Sequence, residues 1–288
     1  MESEDMNMND FHNNKVLHVI NVTLRVKNIT KMLDFYLNIL KMKLINKVDN
    51  VYSLGTESNR VLVNLVADEN AEVGKRKTGL YHFALLLPTR HDLGVFLNYF
   101  LKSGYPLSGA SDHAVSEALY LNDPEGNGIE IYRDRPFLEW KFNEEGVEMT
   151  TIAIDHQTLL KEKGVYNQIP EGTIMGHLHL HVNNIKKAHD FFVDILGFNK
   201  MLDYGPTASF ISDANYHHHI AYNTWLGTTS PDIKTNQTGL MAYEVNLPLN
   251  KVEELVTRLE QHKIPYVKTN DEIQLKDINE VDVLFVVR

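Results

Sequence analysis

The 288-residue chain has no cysteine. Disulfides, thiolate nucleophiles and sulfur-ligated metals are therefore excluded together, and any metal must be held by His, Asp or Glu, a donor set suited to hard or borderline ions. Basic charge is also short: 28 Lys and Arg stand against 38 Asp and Glu, a formal net charge of −10. With no basic stripe to neutralise phosphates, a nucleic-acid partner is not expected. The one basic cluster, Lys75-Arg76-Lys77, follows an acidic stretch and reads as a solvated loop. No apolar run is long enough to span a bilayer, so no membrane partner is expected either. The opening MESEDMNMND lacks the basic start and apolar core of a signal peptide, which makes a cytoplasmic location the expectation. What is present, 43% hydrophobic and 23% charged residues, is ordinary for a globular protein long enough to hold two domains.

The chain repeats itself. Asn21 to Leu40 (NVTLRVKNITKMLDFYLNIL) aligns with His177 to Leu196 (HLHLHVNNIKKAHDFFVDIL) at a constant offset of 156. Leu24 meets Leu180, Asn28 meets Asn184, and Asp34-Phe35 meets Asp190-Phe191. Each copy alternates for about six residues and then changes to helical spacing, with Asn28 or Asn184 placed to cap the helix. A second pair, TGLYHFALLLP from Thr78 and TGLMAYEVNLP from Thr238, lies at an offset of 160. Each is followed by an amphipathic segment, Leu93 to Leu101 and Val252 to Leu259, and then by strands. The reading is an α+β protein of four βαβββ units, starting near residues 17, 78, 174 and 238. In sequence these divide into a disordered tail (1–14), a first domain of two units (15–135), a linker (136–172) and a second domain of two units (173–288). Such units bury their sheet faces only by pairing, and a pair encloses a cavity into which alternate strand residues point.

Tyr120 to Tyr132, YLNDPEGNGIEIY, predicts a strand, a tight turn through Asp123-Pro124-Glu125-Gly126-Asn127-Gly128, and a second strand. Alternation sets Ile129 and Ile131 on one face and Glu130 on the other. A buried carboxylate there needs a partner, and metal is one candidate; a solvated outer strand face is the other reading. Fourteen histidines supply further donors. His177, His179 and His181 alternate along one strand, His82 opens the strand of unit two, and His217-His218-His219 begin a late strand of unit three. At equivalent first-strand positions the four units carry Asn21, His82, His177 and Ala242, and at the last-strand position unit two has Glu130 where unit four has Leu284. His82, Glu130 and His177 together form a two-imidazole, one-carboxylate set with open positions left over. That set points to non-haem Fe(II), with Mn(II) as a substitute.

The same residues resemble the vicinal oxygen chelate superfamily, and within it the type I extradiol ring-cleaving dioxygenases of the catechol 2,3-dioxygenase-like group. The resemblance runs from about residue 16 to the end through the fourfold repeat. Tyr120, the D-P-x-G-N turn and Glu130 resemble the family's active-site tyrosine and metal-binding glutamate. His82 in LYHFALLLP and His177 in MGHLHLHV match its two ligand histidines. His218, two residues before Ile220-Ala221-Tyr222, is similar to the acid–base histidine, and His113, seven residues before Tyr120, to a second substrate-contacting histidine. The resemblance implies two barrel-like domains and a catechol-type aromatic substrate. It further implies dioxygen as co-substrate, a ring-opened semialdehyde as product, and room for a homo-oligomer. Its alternatives are a glyoxalase-like lyase or isomerase and a non-catalytic, drug-binding protein.

One departure matters. In familiar members the glutamate and second histidine lie in the C-terminal half, whereas here unit four lacks both and unit two carries them. Unit two is therefore expected to pair with unit three across the linker, leaving units one and four as a companion barrel. Pairing of unit one with unit two, with Asn21 in place of a histidine, is the alternative. His217 and His219 are expected to flank His218 and face away from it, His179 and His181 to line the cavity, and Trp140, Trp225 or the linker to form its walls.

Overall fold

The computed structural model describes residues 8–74, 76–144 and 146–288. After a short helix α1 (Met8–Phe11), unit one comprises β1 (His18–Val26), α2 (Ile29–Asp34), β2 (Lys43–Val48), β3 (Val51–Gly55) and β4 (Val61–Ala67). Unit two follows with β5 (Gly79–Leu86), α3 (Arg90–Ser103), β6 (Gly109–Asp112), β7 (Ser116–Asn122) and β8 (Gly128–Asp134). The connecting segment holds a two-residue hairpin, β9 (Phe142–Asn143) with β10 (Gly146–Val147), and one helical turn, α4 (His156–Leu159). Unit three is β11 (Ile174–His181), α5 (Ile185–His189), β12 (Asn199–Tyr204), β13 (Ala208–Ser212) and β14 (Ile220–Asn223). Unit four is β15 (Gly239–Leu247), α6 (Val252–Gln261), β16 (Tyr266–Lys268), β17 (Glu272–Lys276) and β18 (Asp282–Val287).

The repeat reaches individual hydrogen bonds. The side chain of Asn28 accepts from the Lys31 amide and that of Asn184 from the Lys187 amide, so both capping residues do what the sequence predicts. Both helices run into a π-helical turn, Phe35–Ile39 and Asp190–Ile195. Asp123 fixes the turn before β8: its Oδ1 accepts from the amides of Glu125 and Asn127, and its Oδ2 from Asn127 Nδ2 and the Tyr36 hydroxyl. Gly126 completes that turn at φ +89°, a conformation that a Cβ would strain.

The units assemble crosswise. One eight-stranded sheet has the order β16-β17-β18-β15-β1-β4-β3-β2, and the other β12-β13-β14-β11-β5-β8-β7-β6. Units one and four thus share a sheet through antiparallel β1 and β15, and units two and three share the other through antiparallel β5 and β11. Each sheet takes one unit from 15–135 and one from 173–288, so the division at 136–172 is one of sequence that both sheets span. Phe83 and Leu85 of β5, with Ile129 and Ile131 of β8, point into the apolar core between sheet and helices. The opposite, concave face of those strands carries His82, Ala84 and Glu130.

Two segments are more tightly held than their composition suggests. Of the expected disordered tail, residues 1–7 lie outside the described residues, but residues 8–14 are folded: Phe11 is 2% exposed and packs on Phe137, Trp140 and Tyr216. Burial of such a ring is worth about 2 kcal/mol, enough to hold a short polar segment down. The 136–172 linker buries Ile154, Leu159, Tyr166 and Ile169 in the main core. Of the basic cluster, Lys75 lies outside the described residues, Arg76 is exposed, and Lys77 is half-buried with its ammonium on the Thr238 carbonyl.

Candidate metal centre

β5 lies between β8 and β11, and its register fixes what meets on the concave face. Ala84 stands opposite Glu130 on one side and opposite His177 on the other, while His82 stands opposite His179. Ala84 is small enough to let the flanking side chains converge over it. His82 Nε2 is 3.0 Å and His177 Nε2 3.2 Å from Glu130 Oε2, and the two nitrogens are 3.3 Å apart. His82, Glu130 and His177 are 6%, 3% and 1% exposed. The solvated-face reading of Glu130 is thus replaced by a buried one. Gly176 is required next to the site, because a Cβ there would stand 1.9 Å from the Tyr132 hydroxyl oxygen.

The electrostatics suit a cation. Burial alone would raise the Glu130 pKa, but the His177 charge and hydrogen bonds from His177 and His82 outweigh it and hold the carboxyl well below its usual range. Burial pushes His177 down to about 4, only partly opposed by Glu130. Two imidazole nitrogens and a carboxylate are a metal-ready donor set. Donors sharing one face of an octahedron with bonds of about 2.1 Å stand about 3 Å apart, which matches the observed spacings. Among the described residues no fourth donor joins this cluster.

A cavity of about 450 Å3 opens over His82 and Glu130. His113, Tyr120 and His218 line it together with Tyr81, Phe210 and Trp225. The linker contributes Met149, Thr150 and Thr151 to its wall, whereas Trp140 packs elsewhere, over His217 at 5.2 Å between ring centroids. The His218 ring lies tilted against the His177 ring, with centroids 4.0 Å apart. Burial, then the neighbouring His177 and His217, hold it well below the usual histidine range. Across the cavity, His113 Nδ1 is 2.7 Å from the Thr150 carbonyl and its Nε2 2.6 Å from the Tyr120 hydroxyl. A carbonyl only accepts, so neutral His113 carries its proton on Nδ1 and the tyrosine donates to Nε2. Burial, then the Glu130 charge, push Tyr120 well above its usual value and keep it protonated.

Comparison with known proteins agrees with this architecture. Over 267 residues, 90% of this chain and 93% of the relative, the sequence is 40% identical to a Bacillus subtilis (strain 168) protein named catechol-2,3-dioxygenase. Residues 15–131 match the family described as the glyoxalase/bleomycin resistance protein/dioxygenase superfamily. The chain belongs to this superfamily. Among solved structures, the CppA protein of Streptococcus pneumoniae TIGR4 superimposes with a TM-score of 0.58 at 14% identity, covering 95% of this chain and 100% of that one. Glyoxalase I from Zea mays does so with a TM-score of 0.56 at 13% identity, covering 94% and 92%. Both share the superfamily fold.

Three site features of this superfamily member lie outside the reading of the sequence. His217 does not face away from His218: their Nδ1 atoms are 2.7 Å apart. Residues 213–219 precede β14 and turn through left-handed Ala214 and Asn215, so the two-residue period does not apply to them. His219 does point elsewhere, its Nε2 on the Phe11 carbonyl and its Nδ1 on the Asp213 amide. Asp134, at the end of β8, bonds His217 Nε2 at 2.9 Å; its place four residues after Glu130, on the same strand face, was the available signal. Thr150, holding His113 from the linker, left no trace in sequence. Of the two other alternating histidines, His179 lines the cavity and accepts from Asn223 Nδ2 at 2.9 Å. His181 instead bonds Asn223 Oδ1 at 2.8 Å, outside the cavity wall.

Proposed function

We propose that this chain is a metal-dependent extradiol dioxygenase that opens a catechol-type ring with O2 to give a ring-opened semialdehyde. The observation carrying this reading is the buried convergence of His82, Glu130 and His177, 3.0–3.3 Å apart, with His82 and Glu130 in the wall of a substrate-sized cavity. Likeness to the relative named catechol-2,3-dioxygenase supports it. His82, Glu130 and His177 would hold the metal, with Fe(II) favoured by the donor set and Mn(II) a substitute. When bound, the metal would bring catechol and O2 together and supply the electron transfer between them.

This chain's own residues do the rest. His218, neutral and beside His177, takes a proton from a catechol hydroxyl and returns one during cleavage. Tyr120, protonated and paired across the strands with Glu130, turns its single hydroxyl proton from His113 Nε2 to a ring oxygen as the substrate enters. Until then His113 holds that hydroxyl in place. Tyr81, Phe210 and Trp225 give the ring an apolar, aromatic wall. The ring C–C bond beside the diol breaks and both oxygen atoms enter the product, so no external reductant is consumed.

The test is anaerobic purification with Fe(II), followed by oxygen uptake on a panel of catechols and hydroquinones. Uptake with at least one catechol, yielding the semialdehyde, is expected; none with any of them despite bound iron overturns the reading. Glu130→Gln should weaken metal binding by more than about 100-fold, beyond the 10–100-fold typical of losing an outer-shell partner, and activity should fall with it. Retention of both by the variant would refute the ligand role.

A further inference from the structure

We propose that Asp134 and His217 are positioning residues that fix the tautomer of His218 through a carboxylate–imidazole–imidazole relay; the proposal rests on the ring-cleavage reading above.

The donors and acceptors leave one arrangement for neutral rings. The Asp134 carboxylate only accepts. It takes a hydrogen bond from the Tyr216 hydroxyl, 3.1 and 3.0 Å from its two oxygens, and its Oδ1 lies 2.9 Å from His217 Nε2. With the Tyr216 proton directed at Asp134, the Tyr132 hydroxyl, 2.7 Å away, donates to the Tyr216 oxygen. His217 must therefore be protonated on Nε2, which leaves a lone pair on Nδ1. That nitrogen is 2.7 Å from His218 Nδ1, so the bridging proton belongs to His218. His218 is then the Nδ1–H tautomer with a bare Nε2, and Nε2 makes no hydrogen bond among the described residues. The ring lines the cavity, which presents a base where a substrate hydroxyl proton must be taken.

The middle of the relay is sealed from water. His217 is 0% exposed, Trp140 packs over it, and the Trp140 indole is itself fixed by its Nε1–H on the Arg135 carbonyl. Without the carboxylate the two tautomers of His217 become comparable, and the one protonated on Nδ1 would force the His218 proton onto Nε2, pointing a donor where an acceptor is needed.

Asp134→Asn, whose amide can donate to His217 Nε2 and so reverse the relay, tests this. Oxygen-uptake kinetics should show kcat lowered about 10- to 100-fold, KM within about twofold and metal content unchanged. In a His218→Ala background the same substitution should change kcat by less than about twofold, because Asp134 acts only through that ring. An equal loss of kcat in both backgrounds, or loss of metal, makes Asp134 merely structural and overturns the proposal. A readout independent of activity, and of the variant's folding, is 15N NMR of histidine-labelled wild-type protein loaded with Zn(II), with His218 assigned by the His218→Ala spectrum. Protonated Nδ1 and bare Nε2 on His218 are expected; protonated Nε2 overturns the relay even if catechol cleavage stands, whereas the expected tautomer without oxygen uptake would leave the relay intact and sink only the cleavage reading.

Discussion

At the scale of single residues, burial holds several histidines below their usual range, with consequences away from the cavity. His18 is buried beside His12, donates from Nδ1 to the Val16 carbonyl, and is pushed down to about 3 by burial and then by His12. In the unfolded chain it would titrate near 6.5. Below that pH the unfolded state takes a proton that the fold refuses, so stability is full above about 6.5 and declines as acid is added, down to about 3. Between pH 7.5 and pH 5 this one group should cost about 2 kcal/mol. Urea midpoints at the two pH values should therefore fall further for wild type than for His18→Asn, which keeps a donor for Val16 and cannot titrate. Equal falls would mean that His18 is charged in the fold. The same scale shows what sequence could tell. His82, Glu130 and His177 were legible because a repeat allows equivalent positions to be compared, and Glu130 against Leu284 is a contrast that no isolated motif supplies. His217 was illegible because its direction is set by left-handed residues at 214 and 215 rather than by strand period.

At the scale of elements, the stretch between units two and three belongs to the site. It read as a linker because it has no period, and its packing depends on partners far away in sequence. Yet Ile152 forms a two-way backbone bridge to Asp112, with N–O distances of 2.9 and 3.1 Å, and this sets the Thr150 carbonyl on His113 and through it Tyr120. Its side chain is 56% exposed, so the backbone is what matters. Ile152→Pro removes the amide that donates to Asp112. It should cost about 1–3 kcal/mol in stability and lower kcat/KM roughly tenfold through a looser His113. Ile152→Ala, which keeps the amide, should leave both near wild type. If proline and alanine behave alike in oxygen uptake and urea unfolding, the bridge does not position the histidine. The helices, by contrast, were legible to their capping bonds, because Asn28 and Asn184 act within their own helical turns.

At the scale of the whole molecule, the crosswise pairing decides what either half of the chain can do. β1 meets β15 with Val22 opposite Tyr243, and β5 meets β11 with His82 opposite His179, so the central contacts of both sheets close loops of most or a third of the chain. Such closures are entropically costly and form late, which makes the fold depend on having both halves present. A fragment of residues 15–135 would leave β1 and β5 as unpaired edges and would lack His177 and His218 altogether. Expressed alone, it should show no cooperative unfolding transition and bind metal far more weakly than the full chain. The complementary fragment 136–288 lacks His82 and Glu130 and should do no better. Refolded together, the two should recover both the transition and the metal, since the break falls before the linker and spares every strand of the two sheets. A 15–135 fragment that folded alone and bound metal at full strength would need a third ligand from unit one. Asn21, standing where His177 stands in unit three, would be the residue supplying it, and the crosswise sheets would then be dispensable to the metal centre.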